Sequence, residues 1–204
     1  MDNDYTKQKA GSPVVLGITG GIASGKSLVT EIIKKLGARI IDADVLARKA
    51  IEKGSEGERQ IFEAFGTTDR KEIRKIAFKN KTNGNKLDSI THPIIIKLIE
   101  DELKKEKERD GAKETIVLVA PLLFECGLWR LCDQTWQLSA SADIRIKRAT
   151  ERDNVSIKEI TAIMSRQMPD HRREELADIV IHNNGTVREL ESLIFVLFPP
   201  FPAI

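Results

Sequence analysis

The stretch Gly20–Ser27, with the sequence GGIASGKS, decides the fold class, because it fits the pattern G-x-x-x-x-G-K-[ST] at every fixed position. An apolar run, Val14–Thr19, precedes it, and an amphipathic helical pattern that includes Val29 and Ile32 follows it. Glycines allow a tight turn whose backbone N–H groups reach phosphate oxygens, and the helix N-terminus adds further donors and a favourable dipole. The sequence therefore predicts a strand, a phosphate-binding loop and a helix that together bind a nucleoside triphosphate.

Four further segments are predicted strands, separated by longer helical patterns. They are Arg39–Asp42, Thr115–Ala120, Thr135–Ser139 and Asp178–Ile181. The run TIVLVA at Thr115–Ala120 is rich in β-branched residues, as expected for a parallel strand that is covered on both faces. The alternation of strands and helices predicts an α/β protein of the P-loop NTPase type, with a doubly wound five-stranded parallel sheet. Helical stretches at about 45–112 and about 142–176 are predicted insertions at one edge of that sheet.

Local signals divide the first helical insertion. Breaks are predicted near Gly54, Gly66 and Asn83–Gly84. Thr91–Pro93 is predicted to open a new helix, because proline is favoured at the first helical position and apolar residues recur every four positions after it. The insertion is thus expected to consist of several separate helices.

The composition is that of a globular chain with little electrostatic bias. Of 204 residues, 41% are hydrophobic and 31% are charged, and the formal net charge is +2. These values exclude a mainly disordered chain and do not favour non-specific nucleic-acid binding. Two cysteines, Cys126 and Cys132, are too few for a disulfide framework and suggest reduced thiols in the cytoplasm. Residues 1–12 lack the apolar core of a signal peptide and are predicted to form a loose tail ahead of a single domain at 13–204.

A regulatory GTPase is one function that a phosphate loop permits. It needs a guanine-reading N-K-x-D and a switch D-x-x-G. Asn85–Asp88, with the sequence NKLD, fits the first pattern, but the polar segment Lys79–Gly84 ahead of it cannot be the buried strand that should present it. No D-x-x-G occurs in the chain. We therefore interpret Asn85–Asp88 as a coincidental match at a loop-to-helix start.

A kinase needs an acid beside the acceptor, basic groups for transition-state charge and a cover that excludes water. Asp42 and Asp44 lie at the carboxyl end of the second predicted strand, the sheet edge where α/β proteins bind ligands. Because the two acids point to opposite sides of an extended chain, we expect one to face the acceptor and the other to cap a helix or assist a metal. Arg145, Arg148 and Arg152 are spaced to share one helix face, and their insertion is a candidate lid.

Taken in order, these motifs resemble the dephospho-coenzyme A kinase family over most of the chain, from Val15 to about Gly185. The matching segments are Gly17–Ser27, Ile41–Asp44, Asp69–Arg70, His92–Pro93, Pro121–Glu125, Lys147–Arg148, Arg152–Asp153 and Ala177–Gly185. Apart from the phosphate loop no single segment is specific, but the ordered set is. The chain departs from the family pattern at Thr67–Thr68, where several more residues are expected, and in lacking an acid at the end of its third predicted strand.

The resemblance implies transfer of the γ-phosphoryl group of ATP to the ribose 3′-hydroxyl of dephospho-CoA, which gives CoA and ADP in the last step of coenzyme A synthesis. It implies Mg²⁺ as the metal, held in part by the hydroxyl of Ser27, with Asp42 and Glu125 as alternatives for a supporting carboxylate. Its partners would be the small molecules ATP and dephospho-CoA, with no nucleic acid and no membrane. We expect a monomer or a weak homo-oligomer.

The same resemblance implies roles for single residues. The candidate catalytic residues are Lys26, Asp44 as the base or orienting carboxylate, and Arg148, which would contact the phosphates from the lid. The candidate ATP-binding residues are Gly21, Ile22, Ala23, Ser24, Gly25, Lys26, Ser27, Arg148, Asn183 and Gly185. The candidate acceptor-binding residues are Asp44, Arg70, His92, Leu123 and Glu125.

A nucleoside monophosphate kinase is the alternative enzyme, because it shares the loop, the sheet and the lid but accepts on a phosphate. The acids Asp42 and Asp44 suit a hydroxyl acceptor, whose proton must go elsewhere. A phosphate acceptor would favour arginines at this place, and Arg39 and Arg48 flank the pair. On these residues the hydroxyl acceptor is favoured, and the alternative stays open.

Overall fold

Five strands form the sheet, and each overlaps a segment predicted from the sequence. The computed structural model describes residues 13–109, 114–153, 155–165 and 167–198, without the side chain of Phe78. Its strands are β1 (Val15–Gly20), β2 (Arg39–Asp42), β3 (Ile116–Val119), β4 (Gln134–Ser139) and β5 (Ile179–His182). The predicted tail at 1–12 lies outside the described residues.

β1 is the central strand, and the sheet order is β2-β3-β1-β4-β5. It pairs in parallel with β3 and with β4, and β4 pairs in parallel with β5, so that Ile18 lies opposite both Val119 and Trp136. All six residues of β1 are buried. A parallel strand with helices on both faces has no solvated side, which explains its continuous apolar run. The phosphate loop therefore begins at the end of a strand that is buried along its length and paired with a neighbour on each edge.

The main core joins the sheet to the helices α1 (Lys26–Lys35) and α9 (Val187–Leu197). α1 buries Val29, Ile32 and Ile33, as its predicted apolar face requires. The ring of Trp136 meets that of Phe198 edge-on, with centroids 6.3 Å apart. The buried cluster consists of Leu16, Ile18, Val29, Ile32, Ile33, Ala38, Val117, Val119, Trp136, Leu138, Ile181, Leu190, Ile194 and Phe198. Burial on this scale is the main favourable term that holds the fold together.

Three short helices lie between β4 and β5, where the second insertion was predicted. They are α6 (Ala142–Asp153), α7 (Ile157–Met164) and α8 (Asp170–Leu176), here called the α6–α8 segment. α7 begins with a capping box, in which Ser156 and Glu159 satisfy each other's backbone N–H groups. α6 and α8 each bury an arginine, Arg145 and Arg173. Fully buried arginines are rare, so both need partners in the fold.

Four helices lie between β2 and β3: α2 (Ala43–Ala50), α3 (Glu56–Phe65), α4 (Arg70–Lys79) and α5 (Lys81–Lys107). The first three begin at side-chain caps, supplied by Asp42, Ser55 and Asp69. α3 ends at Gly66, which has a φ of 72°, a conformation that glycine adopts without strain. The predicted breaks near Gly54 and Gly66 are therefore confirmed.

Two predictions about α5 are wrong. The helix runs without interruption through Asn83–Gly84, and Thr91–Pro93 lies inside it instead of at its start. The helix begins at Lys81, and the side-chain oxygen of the preceding Asn80 accepts a 2.8 Å hydrogen bond from the N–H of Asn83. An internal proline costs roughly 3 kcal/mol, and a 27-residue helix has enough other backbone bonds to tolerate that loss.

The chain forms two compact units, the sheet unit (Met1–Ile41 with Glu106–Ile204) and the helical unit (Asp42–Lys105). Within the helical unit α2 and α3 pack closely, since a Cβ added at Gly57 would lie 2.1 Å from the carbonyl oxygen of Ala50. None of the described helices combines the length and the hydropathy that a membrane span requires. The arrangement of a single domain at 13–204 with two insertions stays a prediction.

Candidate active site

The phosphate loop joins the carboxyl end of β1 to the first turn of α1. Gly25 forms the N-cap of α1 with a φ of 108°, and Ala23 also has a positive φ, of 57°. The Nζ of Lys26 donates to the carbonyl oxygens of Gly20 (2.6 Å) and Gly21 (3.0 Å). The amine is therefore held within the loop, where a point charge serves phosphate binding.

Asn183 connects the end of β5 to this loop. Its side-chain amide donates a 2.8 Å hydrogen bond to the carbonyl oxygen of Ser24, and its backbone N–H donates to Ser139. A Cβ at Gly25 would lie 2.2 Å from the Nδ2 of Asn183, so this approach also requires glycine at position 25. The structure thus brings together ATP-site candidates that are far apart in the sequence.

Arg148 belongs to the same cluster. Its guanidinium donates to the carbonyl oxygens of Asn183 (3.0 Å) and Gly185 (3.5 Å). Asn184 accepts a 2.8 Å hydrogen bond from the N–H of Ser141, at the start of α6. Arg148 therefore contacts the turn at Asn183–Gly185, and its predicted contact with phosphates stays a prediction.

Two residues that were not among the ATP-binding candidates bind Ile22 in the phosphate loop. The Nε of Arg145 donates to the carbonyl oxygen of Ile22 (2.9 Å), and the side-chain oxygen of Gln167 accepts from its N–H (3.0 Å). Gln167 belongs to no motif, so the sequence carried no signal for it. Arg145 was grouped with Arg148 and Arg152, and only its burial, at 2% exposure, separates it from them.

The charge state of Arg145 reflects two opposing effects. Burial lowers the pKa of this guanidinium below its ordinary value, and the neighbouring carboxylate of Asp170 opposes that shift. An arginine pKa starts so high that the side chain stays protonated near neutral pH. Arg145 therefore carries a buried positive charge beside the phosphate loop.

Two acceptor candidates lie in the segment after β3. Glu125 is exposed, and its Oε1 accepts a 3.2 Å hydrogen bond from the backbone N–H of Met168, in the connection between α7 and α8. Leu123 is 0% exposed, and its Cδ2 would lie 3.0 Å from a Cβ at Gly17. Leu123 thus packs against Gly17 of β1, and its role as an acceptor contact stays a prediction.

The paired acids lie in the helical unit and have different surroundings. Asp42 caps α2, because its Oδ1 accepts from the backbone N–H groups of Asp44 (2.8 Å) and Val45 (3.4 Å). Asp44 is exposed in the first turn of α2. One of the two acids therefore caps a helix, as expected, and Asp44 is the acid on the surface.

The other acceptor candidates of the helical unit lie on α4 and α5. Arg70 is exposed and begins α4, and its Nη2 lies 3.5 Å from the carbonyl oxygen of Arg48. The Nε2 of His92 lies 3.6 Å from the Oδ1 of Asp88, one turn earlier in α5. Each position is accessible, but acceptor binding by Arg70 or His92 stays a prediction.

The guanine-reading match at Asn85–Asp88 lies inside α5 instead of in a loop after a strand. The Nζ of Lys86 donates a 2.9 Å hydrogen bond to the carbonyl oxygen of Ala64, and it lies 5.3 Å from the ring centroid of Phe65. These residues therefore join α5 to α3. This arrangement agrees with the interpretation of the match as coincidental. The matching residues lie inside a helix, however, and not at a loop-to-helix start.

Comparisons with known proteins agree with the fold and the loop. A family model described as dephospho-CoA kinase matches residues 14–189. The dephospho-CoA kinase of Geobacter metallireducens is 38% identical over 193 residues, which are 91% of this chain and 95% of that protein.

Two solved structures extend the agreement to the fold. A Thermus thermophilus protein, TT1252, has a TM-score of 0.78 and 28% identity over 94% of this chain and 100% of its own. A dephospho-CoA kinase from Campylobacter jejuni has a TM-score of 0.67 and 25% identity, covering 90% of this chain and 94% of its own. With a phosphate loop on the central strand of a five-stranded parallel sheet, the chain belongs to the dephospho-CoA kinase family.

Proposed function

We propose that the protein transfers the γ-phosphoryl group of ATP to the 3′-hydroxyl of dephospho-CoA, producing CoA and ADP. The observation that carries this proposal is the family match over residues 14–189, which includes the phosphate loop and the turn at Asn183–Gly185. A nucleoside monophosphate kinase is not favoured, because the relatives reported above that carry a functional name are dephospho-CoA kinases.

The phosphate loop serves the donor side of the reaction. Backbone N–H groups at the start of α1 bind phosphate oxygens, and Lys26 moves from its carbonyl partners in the loop to the β- and γ-phosphates. Phosphoryl transfer has a loose transition state, so positioning and charge stabilisation provide most of the rate enhancement. Arg148 adds positive charge near the turn that would hold the adenosine.

Magnesium fits this site through the nucleotide. Among the described residues no group of three or more His, Cys, Asp or Glu side chains is placed to hold a metal ion. Ser27 is exposed in the first turn of α1, and Mg²⁺ commonly binds one or two protein ligands together with phosphates and water. Ser27 would therefore hold the ion with the triphosphate, and the bound ion neutralises charge on the phosphates.

On the acceptor side, Asp44 orients the ribose hydroxyl and accepts its proton. Its support is chemical: it is exposed, and a carboxylate can orient a hydroxyl group and accept its proton. Arg70, His92 and Glu125 are proposed to bind other groups of dephospho-CoA. We also infer a cytoplasmic enzyme, since neither cysteine forms a disulfide. We infer a monomer or a weak homo-oligomer, and analytical ultracentrifugation measures its mass.

A coupled assay of ADP release tests the function directly. The purified protein, ATP and Mg²⁺ are combined in parallel with dephospho-CoA, AMP, CMP, dTMP or no acceptor. We expect release with dephospho-CoA alone, and mass spectrometry should show one added phosphate on the product. Release with a monophosphate would replace the proposed acceptor. In a further well with GTP in place of ATP and no acceptor, GTP hydrolysis would support a switch protein instead.

A further inference from the structure

Arg145 is buried against the phosphate loop in a way that the family match does not explain. It lies in the first turn of α6, its side chain is 3% exposed, and its Nε donates to the carbonyl oxygen of Ile22 at 2.9 Å. Burying a guanidinium is costly unless its donors are paired. The buried charge of Arg145 therefore depends on its partners in and around the phosphate loop.

The loop is held from both sides at one residue. The side-chain oxygen of Gln167 accepts the N–H of Ile22 at 3.0 Å, while Arg145 binds the carbonyl oxygen of the same residue. The Nη2 of Arg145 also lies 3.4 Å from that oxygen of Gln167. Both backbone polar groups of Ile22 therefore form hydrogen bonds with side chains of the α6–α8 segment.

An ion-pair cluster fixes the orientation of the guanidinium. Asp170, the first residue of α8, binds the Nη1 of Arg145 through Oδ2 and the Nη2 of Arg173 through Oδ1. Arg173 is 1% exposed, and two of its nitrogens, Nε and Nη1, are buried without a hydrogen-bond partner among the described residues. Arg145 and Arg173 share the single carboxylate of Asp170. This group of three side chains therefore carries a net positive charge next to the phosphate loop.

The fit between Arg145 and the loop leaves no spare room. A Cβ built on Gly21 would lie 2.1 Å from the Nη2 and 2.5 Å from the Cζ of Arg145. Gly21 does not have a positive φ, so its backbone conformation does not demand glycine. A side chain at position 21 would therefore collide with a guanidinium that its ion pair and hydrogen bonds hold in place.

We propose that Arg145, together with Gln167, is a positioning residue that sets the conformation of the phosphate loop for ATP. This inference rests on the proposed phosphoryl transfer. Each nitrogen of the Arg145 guanidinium makes a hydrogen bond, to Ile22, Asp170 or Gln167, so the role proposed here is exerted through the loop. Catalysis that depends on prepositioned backbone donors is sensitive to small displacements of the loop that carries them.

Three variants separate positioning from charge and from folding. Arg145→Lys keeps the charge but loses the planar set of donors, Arg145→Gln removes the charge, and Gln167→Met removes the other contact to Ile22 without touching an ion pair. The matched control is Arg172→Lys on α8, because Arg172 pairs with Glu175 and both are exposed (60% and 57%). Circular dichroism and thermal unfolding establish that each variant is folded.

The Kd for ATP, measured by isothermal titration calorimetry, is the primary result because it does not require the acceptor to be known. We expect Arg145→Lys and Gln167→Met to raise this Kd about tenfold and to lower kcat/KM for ATP on the order of a hundredfold. The KM for dephospho-CoA should stay unchanged, and the amides of 20–25 should exchange hydrogen faster. Arg172→Lys should match the wild type in every measurement.

Two outcomes would overturn the proposal. One is a wild-type Kd and wild-type exchange in both Arg145→Lys and Gln167→Met. The other is normal activity in Arg145→Lys with loss of activity in Arg145→Gln, which would assign the effect to charge. If Arg145 variants fail to fold, Gln167→Met decides, since Gln167 is only half-buried. Absence of dephospho-CoA turnover in the wild type would count against the proposed function and leave the ATP measurements valid.

Discussion

The side-chain amide of Asn183 donates a 2.8 Å hydrogen bond to the carbonyl oxygen of Ser24, so the end of β5 directly supports the phosphate loop. Both residues are buried, at 5% and 1% exposure. The bond spans most of the chain in sequence, and it explains how a turn after the last strand affects the ATP site. Removing the side-chain amide of Asn183 should therefore change both ATP binding and stability.

We expect Asn183→Ala to weaken ATP binding and to lower stability by about 1–3 kcal/mol, since the buried carbonyl of Ser24 loses its partner. The matched control is Asn83→Ala, because the side chain of Asn83 makes a similar 3.1 Å bond to the carbonyl of Ile76 within the helical unit. That control should lower stability while leaving the Kd for ATP unchanged. Equal effects of the two variants on ATP binding would contradict a specific role for Asn183.

Lys26→Met should reduce turnover by about 10²- to 10³-fold or more while the fold persists, because one positioned cationic donor is lost from the transition state. Lys35→Met is the control, since Lys35 lies exposed in the last turn of the same helix. Turnover is measured by ADP release and folding by circular dichroism. Near-wild-type turnover in Lys26→Met would remove the assignment of the phosphate loop.

Asp44→Asn should lower kcat on the order of 10²- to 10⁴-fold, as expected for loss of a general base, with little change in the Kd for ATP. Asp42→Asn serves as the comparison. It should cost about 1 kcal/mol or less of stability through the cap of α2 and affect kcat far less. The reverse ranking of the two kcat values would transfer the role to Asp42.

The packing beneath β1 predicts a coupled pair of substitutions. A Cβ at Gly17 would lie 2.7 Å from the Sγ of Cys132, so Gly17→Ala should cost about 1–3 kcal/mol by overpacking. Cys132→Ala removes that sulfur, and the double variant should be more stable than the sum of the two single effects. Urea unfolding of all four proteins gives the coupling energy. If the two single effects simply add, the Sγ of Cys132 is not the atom that obstructs a Cβ at position 17.

Cys132 also predicts a pH dependence. Burial, chiefly, raises the pKa of this thiol from its ordinary value of 9.0 to about 12. Above the unfolded value the unfolded chain ionises while the folded thiol stays neutral, so stability is full below about pH 9 and falls from there toward pH 12. Between pH 8 and pH 10 the wild type should lose about 1.4 kcal/mol relative to Cys132→Ala, as urea unfolding would show. Parallel pH profiles would place an ionised or accessible thiol at this position.

The sequence predicted the sheet and the phosphate loop because both depend on local chemistry. The apolar run of β1 and the glycines of the loop each specify one conformation, and the five strands followed from similar runs. α5 was misjudged because a local signal, Pro93, was outweighed by the length of the helix around it.

The contacts around Ile22 could not be predicted, since they join residues that only the fold brings together. Arg145 shares its helical spacing with the exposed Arg152, and no pattern distinguishes a buried arginine from a solvated one before its neighbours are known. Gln167 and Asp170 lie in no motif at all. Their positions depend on how α8 and the residues before it pack within the sheet unit, which is a tertiary property.

The half-buried thiol of Cys132, with its raised pKa, has a consequence for an enzyme that works on coenzyme A precursors. The proposed substrate and product both end in a thiol, and mixed disulfides form when a protein thiolate attacks an oxidised partner. A thiol with a pKa near 12 contains almost no thiolate at neutral pH. The Sγ of Cys132 also donates a hydrogen bond to the carbonyl oxygen of Leu128. We therefore expect Cys132 to resist mixed-disulfide formation with the molecules that the enzyme handles.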